Sequence, residues 1–220
     1  MKAIVLLGAP GAGKGTVAAG LLKAGEEYAH VSTGDMLREA VRERRPVGVQ
    51  AKGYMEKGEL VPDEIILELV RERLARDGGR GGYLFDGFPR TLEQARQLDA
   101  VLAEFGGRIN AVFLLSVPED VIVDRISGRR ICQKCGAVYH VRNMPPRVEG
   151  VCDRCGGAVV QRPDDNETTV RNRLAVYRRQ TESVIAFYRE RGVLFEIPAA
   201  GSPEETVAVI RRRLAAIRGI

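Results

Sequence analysis

The sequence contains no apolar run that could span a membrane, which takes about 20 consecutive apolar residues. The first apolar run, residues 3–7, continues directly into a glycine-rich segment, so we expect it not to be a signal peptide. Internal repeats and low-complexity tracts are also missing. With 220 residues, of which 45% are hydrophobic, we expect one well-packed core with small insertions. We further expect a cytoplasmic protein without a membrane partner.

Aromatic residues make up only 5% of the chain, and tryptophan is absent. Proteins that bind single-stranded nucleic acid stack the bases on aromatic side chains. Near the cationic residues that flank the four cysteines only Tyr139 is at hand, which argues against a nucleic-acid partner. The formal net charge of +5 would suit such a partner, but a site for a small anionic ligand also needs cations. The remaining charges are mixed along candidate helices, which is typical of solvated helix faces.

A glycine-rich segment at residues 8–16 combines three features that favour anion binding. It follows a buried strand candidate and leads into a helix candidate, so backbone N–H groups and the helix dipole can face one anion. Lys14 adds a full positive charge at the spacing of a phosphate-binding loop. In this chain Gly15 follows the lysine, and the hydroxyl comes one position later, at Thr16. A glycine turn with only a structural role is the alternative.

Strand and helix candidates alternate along most of the chain. Strands are expected at 3–7, 28–31, 83–86, 109–117 and 193–197. The alternation predicts an α/β fold, with a P-loop NTPase-like parallel sheet of about five strands and helices on both faces. After an insert at 128–166, one long helix is expected from Glu167 to Arg191.

All four cysteines lie in that insert, where periodic apolar positions are few. Cys132 and Cys135 form one pair and Cys152 and Cys155 the other, with sixteen residues between the pairs. This spacing is typical of a four-cysteine zinc site, and four thiolates complete a tetrahedral shell, so the metal would be structural. Two disulfides are an alternative that a cytosolic location disfavours. A redox-active pair is another, which the symmetry of the two pairs disfavours.

Several motifs together resemble the adenylate kinase family, over essentially the whole chain. They are Gly-Ala-Pro-Gly-Ala-Gly-Lys-Gly-Thr at 8–16, Ser-Thr-Gly-Asp-Met-Leu-Arg at 32–38, Asp-Gly-Phe-Pro-Arg at 86–90, Gly-Arg-Arg at 128–130 and Arg-Pro-Asp-Asp-Asn at 162–166. The four cysteines resemble the long-lid, zinc-bearing branch of that family. The resemblance implies reversible, Mg2+-dependent transfer of the terminal phosphoryl group of ATP to AMP, giving two ADP, in adenine nucleotide homeostasis and salvage.

The resemblance also implies a monomer with a core and two mobile parts. The core would comprise residues 1–31, 62–128 and 167–220, the helical AMP-binding segment residues 32–61, and the zinc-stabilised lid residues 129–166. Positions that match ATP contacts are Gly11, Ala12, Gly13, Lys14, Gly15, Thr16, Arg125, Arg129, Val138, Tyr139 and Gly201. Positions that match AMP contacts are Thr33, Arg38, Glu59, Leu60, Val61, Gly87, Phe88, Pro89, Arg90, Gln94, Arg162 and Arg173.

Phosphoryl transfer requires positioning of two phosphates and neutralisation of their charge. Arginine suits this task because its planar group binds phosphate oxygens in pairs and stays charged. The acceptor is itself an ionised phosphate, so no general base is needed. Asp86, at a strand end, is expected to hold Mg2+ through water, with loop capping as the alternative. The candidate catalytic residues are Lys14, Arg90, Arg129, Arg162, Arg173 and Asp86.

Other roles remain open for several of these residues and for the whole chain. For any single arginine the alternative is a surface ion pair, and Arg125 is expected either to stack on adenine or to have no such role. His140 could bind the metal, but packing on the surface or in the lid is expected for it, and His30 is expected to pack at a strand end. Asp164 and Asp165 are expected either to cap the following helix or to pair with the lid arginines. A UMP/CMP-type kinase would share the phosphate loop and the motif at 86–90. From another class, a zinc-ribbon nucleic-acid-binding protein with a P-loop is the alternative.

Overall fold

Strands and helices alternate in the computed structural model, which describes residues 1–77 and 82–218. The strands are β1 (Lys2–Leu7), β2 (Tyr28–Ser32), β3 (Gly82–Asp86), β4 (Arg108–Ser116), β5 (Arg129–Cys132), β6 (Val138–His140), β7 (Val159–Val160) and β8 (Leu194–Pro198). The helices are α1 (Lys14–Lys23), α2 (Thr33–Arg42), α3 (Pro46–Lys57), α4 (Asp63–Arg76), α5 (Leu92–Glu104), α6 (Glu119–Ser127), α7 (Glu167–Gln180), α8 (Glu182–Glu190) and α9 (Pro203–Arg218). Among the helices within these ranges, none combines the length and the apolar character that a membrane span requires.

The central sheet contains five parallel strands in the order β2-β3-β1-β4-β8. This confirms the predicted α/β fold and the strand number. Successive side chains of β1 alternate between two hydrophobic clusters, one on each face of the sheet. Val5 and Leu7 belong to the first cluster, and Ile4 and Leu6 to the second. The sheet is therefore buried on both faces, which explains why its strands read as continuous apolar runs.

Helices supply the rest of both clusters. Apolar residues of α4, α5 and α8 pack on the first face, and those of α1 and α9 pack on the second. Burying one large apolar side chain contributes roughly 1.5–3 kcal/mol, so these faces fix the positions of the helices. The carboxyl ends of β1, β2 and β3 then lie along one edge of the sheet, followed by the loops that carry the predicted phosphate and AMP motifs.

The predicted single helix from Glu167 to Arg191 is wrong, because α7 ends at Gln180 and α8 begins at Glu182. The break falls at Thr181, whose hydroxyl donates a hydrogen bond to the backbone carbonyl of Arg90 at 3.1 Å. The partner is 91 positions away in sequence. Helical periodicity continues through both helices, so nothing in the local sequence marks this tertiary contact.

The cysteine-containing insert forms a second, three-stranded antiparallel sheet in the order β6-β5-β7. The chain enters it directly from α6 and leaves it into α7. The residues 33–57 form α2 and α3, which pack on each other. Of the residues that the sequence assigns to the core, 78–81 and 219–220 lie outside the described residues.

Candidate functional site

The glycine-rich segment forms a tight loop between β1 and α1. Gly11 and Gly13 have φ angles of 84° and 92°, and α1 begins at Lys14. A Cβ atom on Gly11 would lie 2.6 Å from Cγ1 of Ile126, so the loop packs closely against α6 and leaves no room for a side chain. These glycines allow the N–H groups at the start of α1 to face one point, as anion binding requires.

Lys14 lies folded over this loop. Its Nζ donates hydrogen bonds to the backbone carbonyls of Gly8 at 2.8 Å and Ala9 at 3.0 Å. Burial lowers the pKa of Lys14 to about 8, although the nearby carboxylate of Asp86 raises it. The ammonium group therefore stands in a cationic, poorly hydrated environment, where an anion would stabilise its charged form.

A first cleft lies between the α2–α3 pair and the loop after β3. Part of its lining is apolar, with Val61 and Phe88 buried, and three arginines, Arg38, Arg90 and Arg173, also line it. The Phe88–Pro89 peptide bond in this loop is cis. Among the residues that line the cleft are Thr33, Arg38, Glu59, Leu60, Val61, Gly87, Phe88, Arg90, Gln94 and Arg173.

A second cleft adjoins the first and reaches the phosphate loop. Gly87, Arg90 and Arg173 line both clefts. Lys14 and Pro89 line only the second. A ligand in the first cleft and a ligand on the phosphate loop would therefore meet at two shared arginines.

Arg90 and Arg173 at this junction, and Arg162 near it, are partly shielded from water. Burial lowers the pKa of Arg90 to about 10, with Arg173 as the next cause, and the same effect lowers the pKa of Arg173. The pKa of Arg162 is likewise lowered by burial to about 10. All three therefore stay charged at neutral pH. A buried guanidinium with few water contacts binds phosphate oxygens more strongly than an exposed one.

Two of the arginines predicted to bind phosphate form ion pairs with aspartates. Nε of Arg129 donates to Oδ2 of Asp165 at 2.8 Å, and its Nη2 contacts the other carboxylate oxygen, which makes a bidentate pair. Nη1 of Arg173 donates to Oδ2 of Asp164 at 3.0 Å. The cap of α7 is the neighbouring Asn166, whose Oδ1 accepts from the N–H of Thr169. The two aspartates thus pair with arginines rather than cap the helix.

A third acidic residue, Asp35, links the two mobile segments expected from the sequence. Its Oδ1 accepts from Nη2 of Arg38 at 2.6 Å and lies 3.8 Å from Nη2 of Arg162. Arg38 belongs to α2, whereas Arg162 follows β7. Arg162 is therefore held close to Asp35 and its partner Arg38, which lines the first cleft, although Arg162 does not line it.

Asp86 lies at the carboxyl end of β3, next to the phosphate loop. It is only 7% exposed, and its Oδ2 would be 3.4 Å from a Cβ atom on Gly15. The same oxygen is 3.4 Å from Nε2 of His30. The sequence predicts only that His30 packs at a strand end and gives no sign of this contact. The carboxylate is the kind of oxygen ligand that Mg2+ prefers.

Arg125 connects the phosphate loop to the loop after β8. Its Nη2 donates to the backbone carbonyls of Ala200 at 3.0 Å and Gly201 at 3.2 Å. Its Nη1 lies 3.5 Å from the carbonyl of Ala12. Burial lowers the pKa of Arg125, but the residue remains cationic. Arg125 and Gly201 are thus neighbours, as two contacts to one nucleotide base would have to be.

Val138 and Tyr139 lie in β6, away from the two clefts. The side chain of Tyr139 is buried in the cysteine cluster, where its hydroxyl lies 3.3 Å from Sγ of Cys152 and accepts from the N–H of Asp153 at 2.8 Å. A contact between Tyr139 and a nucleotide would therefore have to come from its backbone.

The two cysteine pairs adopt the same backbone geometry. Gly136 N–H donates to the carbonyl of Cys132 at 3.0 Å, and Gly156 N–H donates to that of Cys152 at 2.9 Å. Both glycines have positive φ angles, 71° and 69°, which other residues adopt only with strain. Each pair therefore makes a tight turn with its sulfurs on the same side.

The four sulfur atoms form a compact group that fits a tetrahedral metal ion. Every one lies within 4.8 Å of the others, and the closest approaches are 3.5 Å and 3.6 Å. A Zn–S distance of about 2.3 Å places tetrahedral sulfurs about 3.8 Å apart. All four cysteines are free of disulfide bonds. The hydroxyl of Tyr139 lowers the pKa of Cys152 to about 6, whereas the neighbouring Cys135 raises the pKa of Cys155 against the effect of a backbone hydrogen bond from Gly157. A bound metal would require all four thiols to lose their protons.

A group of hydrogen bonds behind the first cleft leaves no recognisable pattern in the sequence. The amide of Gln94 bonds the backbone N–H of Arg90 at 2.7 Å and the carboxylate of Asp63 at 2.6 Å. The same carboxylate accepts from the hydroxyl of Thr91 at 2.9 Å. Asp63 follows a proline at the start of α4, so its local signal is that of a residue in the first turn of a helix.

The parallel sheet, the phosphate loop and the adjoining cationic cleft define a P-loop protein that binds nucleotide phosphates. A family model described as adenylate kinase matches residues 6–193. A protein named adenylate kinase from Geobacillus sp. (strain WCH70) is 48% identical over 217 residues, which cover 98% of this chain and 99% of the relative. Another, from Caldicellulosiruptor bescii, is 52% identical over 191 residues, covering 87% and 88% of the two chains. A third, from Moorella thermoacetica, is 48% identical over 211 residues, covering 96% and 97%.

The chain therefore belongs to the adenylate kinase family. Members of this family are phosphotransferases that act on ATP and AMP, and they use Mg2+ with ATP. Neither the UMP/CMP-type kinase nor the zinc-ribbon nucleic-acid-binding protein is favoured by these comparisons.

Proposed function

We propose that the chain catalyses reversible transfer of the terminal phosphoryl group of ATP to AMP, and that the two adjoining clefts hold the two nucleotides. The single observation that carries this assignment is the junction of the clefts at Arg90 and Arg173. ATP would lie on the phosphate loop with Lys14, and AMP in the first cleft. A phosphate oxygen of AMP attacks the terminal phosphorus of ATP, and the bond from that phosphorus to the bridging oxygen breaks, which leaves ADP on both sides.

In this proposal the cations of the chain balance the charge that develops during transfer. Lys14, Arg90 and Arg173 would contact phosphates directly, and Arg129 and Arg162 would reach them when the lid closes. Mg2+, when bound with ATP, neutralises charge on the outer phosphates, and Asp86 would hold it through water. The acceptor oxygen is already ionised at neutral pH, so no residue has to remove a proton.

The remaining residues would orient the bases and sugars. For ATP these are Arg125, Gly201 and the backbone of residues 138–139, together with the loop residues Gly11 to Thr16. For AMP they are Thr33, Arg38, Gln94, the backbone of residues 59–61 and the loop of residues 87–90. The boundaries of the core, the AMP-binding segment and the lid are proposed as the sequence predicts them.

We further propose that the insert holds a structural Zn2+ on Cys132, Cys135, Cys152 and Cys155. Four thiolates leave no coordination site for a substrate, so the metal would act by holding the three-stranded sheet together. The apolar cluster around the sulfurs contains only a few residues, which is too little to stabilise the insert alone. A monomeric, cytoplasmic protein without nucleic-acid partners is the form in which we expect this enzyme to act.

The test is production of ADP from ATP and AMP by the purified protein, compared with CMP and UMP as acceptors. Arg173→Ala and Lys14→Ala are expected to lower kcat at least a hundredfold, because preorganised charges contribute several kcal/mol to transfer. Arg179→Ala, an exposed arginine on the same helix as Arg173, is the matched control and should retain activity. Preference for CMP or UMP, or full activity of Arg173→Ala, would contradict the proposal.

A further inference from the structure

The amide of Gln94 is held on both sides in a single orientation. Its Oε1 accepts from the backbone N–H of Arg90 at 2.7 Å, and its Nε2 donates to Oδ1 of Asp63 at 2.6 Å. These neighbours are not interchangeable, because a backbone N–H can only donate and a carboxylate can only accept. Turning the amide by 180° would set N–H against N–H and carbonyl oxygen against carboxylate. Asp63 and the Arg90 backbone therefore decide which end of the amide is the acceptor.

Asp63 is itself fixed by the helix that carries Gln94. Its Oδ2 accepts from Oγ1 of Thr91 at 2.9 Å, and that hydroxyl accepts from the N–H of Gln94 at 3.1 Å as the cap of α5. Asp63 is the first residue of α4, so its carboxylate joins the starts of two helices that pack against each other. Asp63 does not line either cleft.

The amide retains one donor and one acceptor for a ligand. A carboxamide oxygen accepts two hydrogen bonds and its nitrogen donates two, and one of each is already used. The side chain of Gln94 is 2% exposed and lines the first cleft. The amide thus offers the cleft one acceptor and one donor. Asp63 and the Arg90 backbone determine which of the two stands on which side.

Purine bases differ in the order of these groups. Adenine carries an amino donor at position 6 beside ring nitrogens that accept, whereas guanine carries an oxygen acceptor at that position and a donor at N1. An amide fixed in one orientation suits one pattern and opposes the other. An amide free to turn would accept both.

We propose that Asp63 is a positioning residue that sets the preference for adenine over guanine in the acceptor site, acting through the amide of Gln94. The inference rests on the proposed function, since it assumes that the first cleft holds the monophosphate. It assigns no contact between Asp63 and the nucleotide.

The experiment measures equilibrium binding and turnover of AMP and of GMP by the full chain and its Asp63→Asn variant. The change replaces the obligatory acceptor by an amide that can also donate. We expect the ratio of AMP to GMP in both Kd and kcat/KM to fall about tenfold, which is within the range of one well-placed pair of hydrogen bonds. The effect should appear in KM, with kcat for AMP changed less than about twofold. Glu64→Gln removes the same charge from the next, exposed position of α4 and should leave the ratio unchanged.

A double-mutant cycle with Gln94→Ala separates positioning from a general structural effect. If Asp63 acts through the amide, Asp63→Asn should change the ratio only when Gln94 is present. Equal losses for AMP and GMP, or the same change in ratio without the amide, would overturn the inference. If Asp63→Asn does not fold, Asp63→Ser replaces it in the same experiment. An unchanged affinity for ATP shows that the variant is folded. A wild-type protein that binds AMP selectively but transfers nothing to it would defeat the proposed function and leave this inference standing.

Discussion

A Cβ atom on Gly128 would lie 2.1 Å from Nε2 of His140, because the imidazole packs directly against the backbone that joins α6 to the insert. The ring is 7% exposed and fixed at both nitrogens. Nε2 lies 3.1 Å from the carbonyl of Asp124, and Nδ1 accepts from the N–H groups of Arg142 and Asn143. Since Nδ1 is an acceptor, the proton is on Nε2. The expectation that His140 packs is confirmed, and its position is at the base of the insert.

Gly128→Ala is predicted to displace this ring. Because the ring cannot move without losing its hydrogen bonds, we expect a loss of about 1–3 kcal/mol in the free energy of unfolding. If the proposed lid turns at this point, KM for ATP should also rise more than KM for AMP. Thermal melting and steady-state kinetics measure both effects. Gly53→Ala, in α3 with open space around the added atom, is the control and should not destabilise.

The lowered pKa of Lys14 predicts a pH dependence of stability. Between pH 8 and the ordinary lysine value of 10.5, the unfolded chain retains a proton that the folded protein has lost. The contribution of Lys14 to the free energy of unfolding should therefore rise with pH in this window and stay constant below it. Denaturant unfolding of the wild type and of Lys14→Met between pH 7 and 10.5 isolates this contribution. Identical pH profiles would contradict it.

The same pKa predicts that ATP binding takes up a proton above pH 8. An anionic phosphate favours the charged ammonium, so Kd for ATP should increase by up to about tenfold per pH unit above that point. Calorimetry in buffers with different ionisation enthalpies would count the protons. Lys14→Arg stays charged over this range and should show no uptake from this position.

Arg125 is predicted to act on the ATP side of the site alone. It bonds the carbonyls of Ala200 and Gly201 and approaches that of Ala12, so its removal loosens two loops that the proposal assigns to ATP. We expect Arg125→Ala to raise KM for ATP about tenfold, since hydrogen bonds from charged groups contribute about 1.5–3 kcal/mol. KM for AMP should change much less. The comparison is Arg178→Ala: this exposed arginine of α7 pairs with Glu119 of α6, the helix that also carries Arg125.

Removal of metal from the insert should lower the melting temperature before it abolishes turnover. The four cysteines are at most 23 positions apart in sequence and hold a small sheet, whereas the two clefts are built on the central sheet. Cys152→Ser should give the same loss of stability without chelator, and Glu149→Ala, exposed in the same insert, should not. Metal content by elemental analysis must accompany the melting curves. Unchanged melting of a verified metal-free sample would refute a structural metal.

The sheet was predictable because strands buried on both faces read as short continuous apolar runs, whereas the helices between them repeat their apolar residues about every 3.6 positions. The AMP motifs were predictable only as a set, through the resemblance, since residues such as Glu59 and Gln94 carry no local sign of a common site. The helix break at Thr181 and the contact of His30 with Asp86 were not predictable, because each depends on a partner far along the chain. Asp164 and Asp165 could cap a helix or pair with arginines, and packing selected the pairs.

The sequence by itself determined the features whose atoms are brought together by a few consecutive residues. These are the phosphate loop, where glycines and the start of a helix suffice, and the two cysteine turns, where each glycine closes its own pair. Only the tertiary structure decided which arginine meets which aspartate, and which carboxylate orients Gln94. Those contacts join side chains 9 to 36 positions apart in sequence, so they exist only once the segments that carry them have packed together.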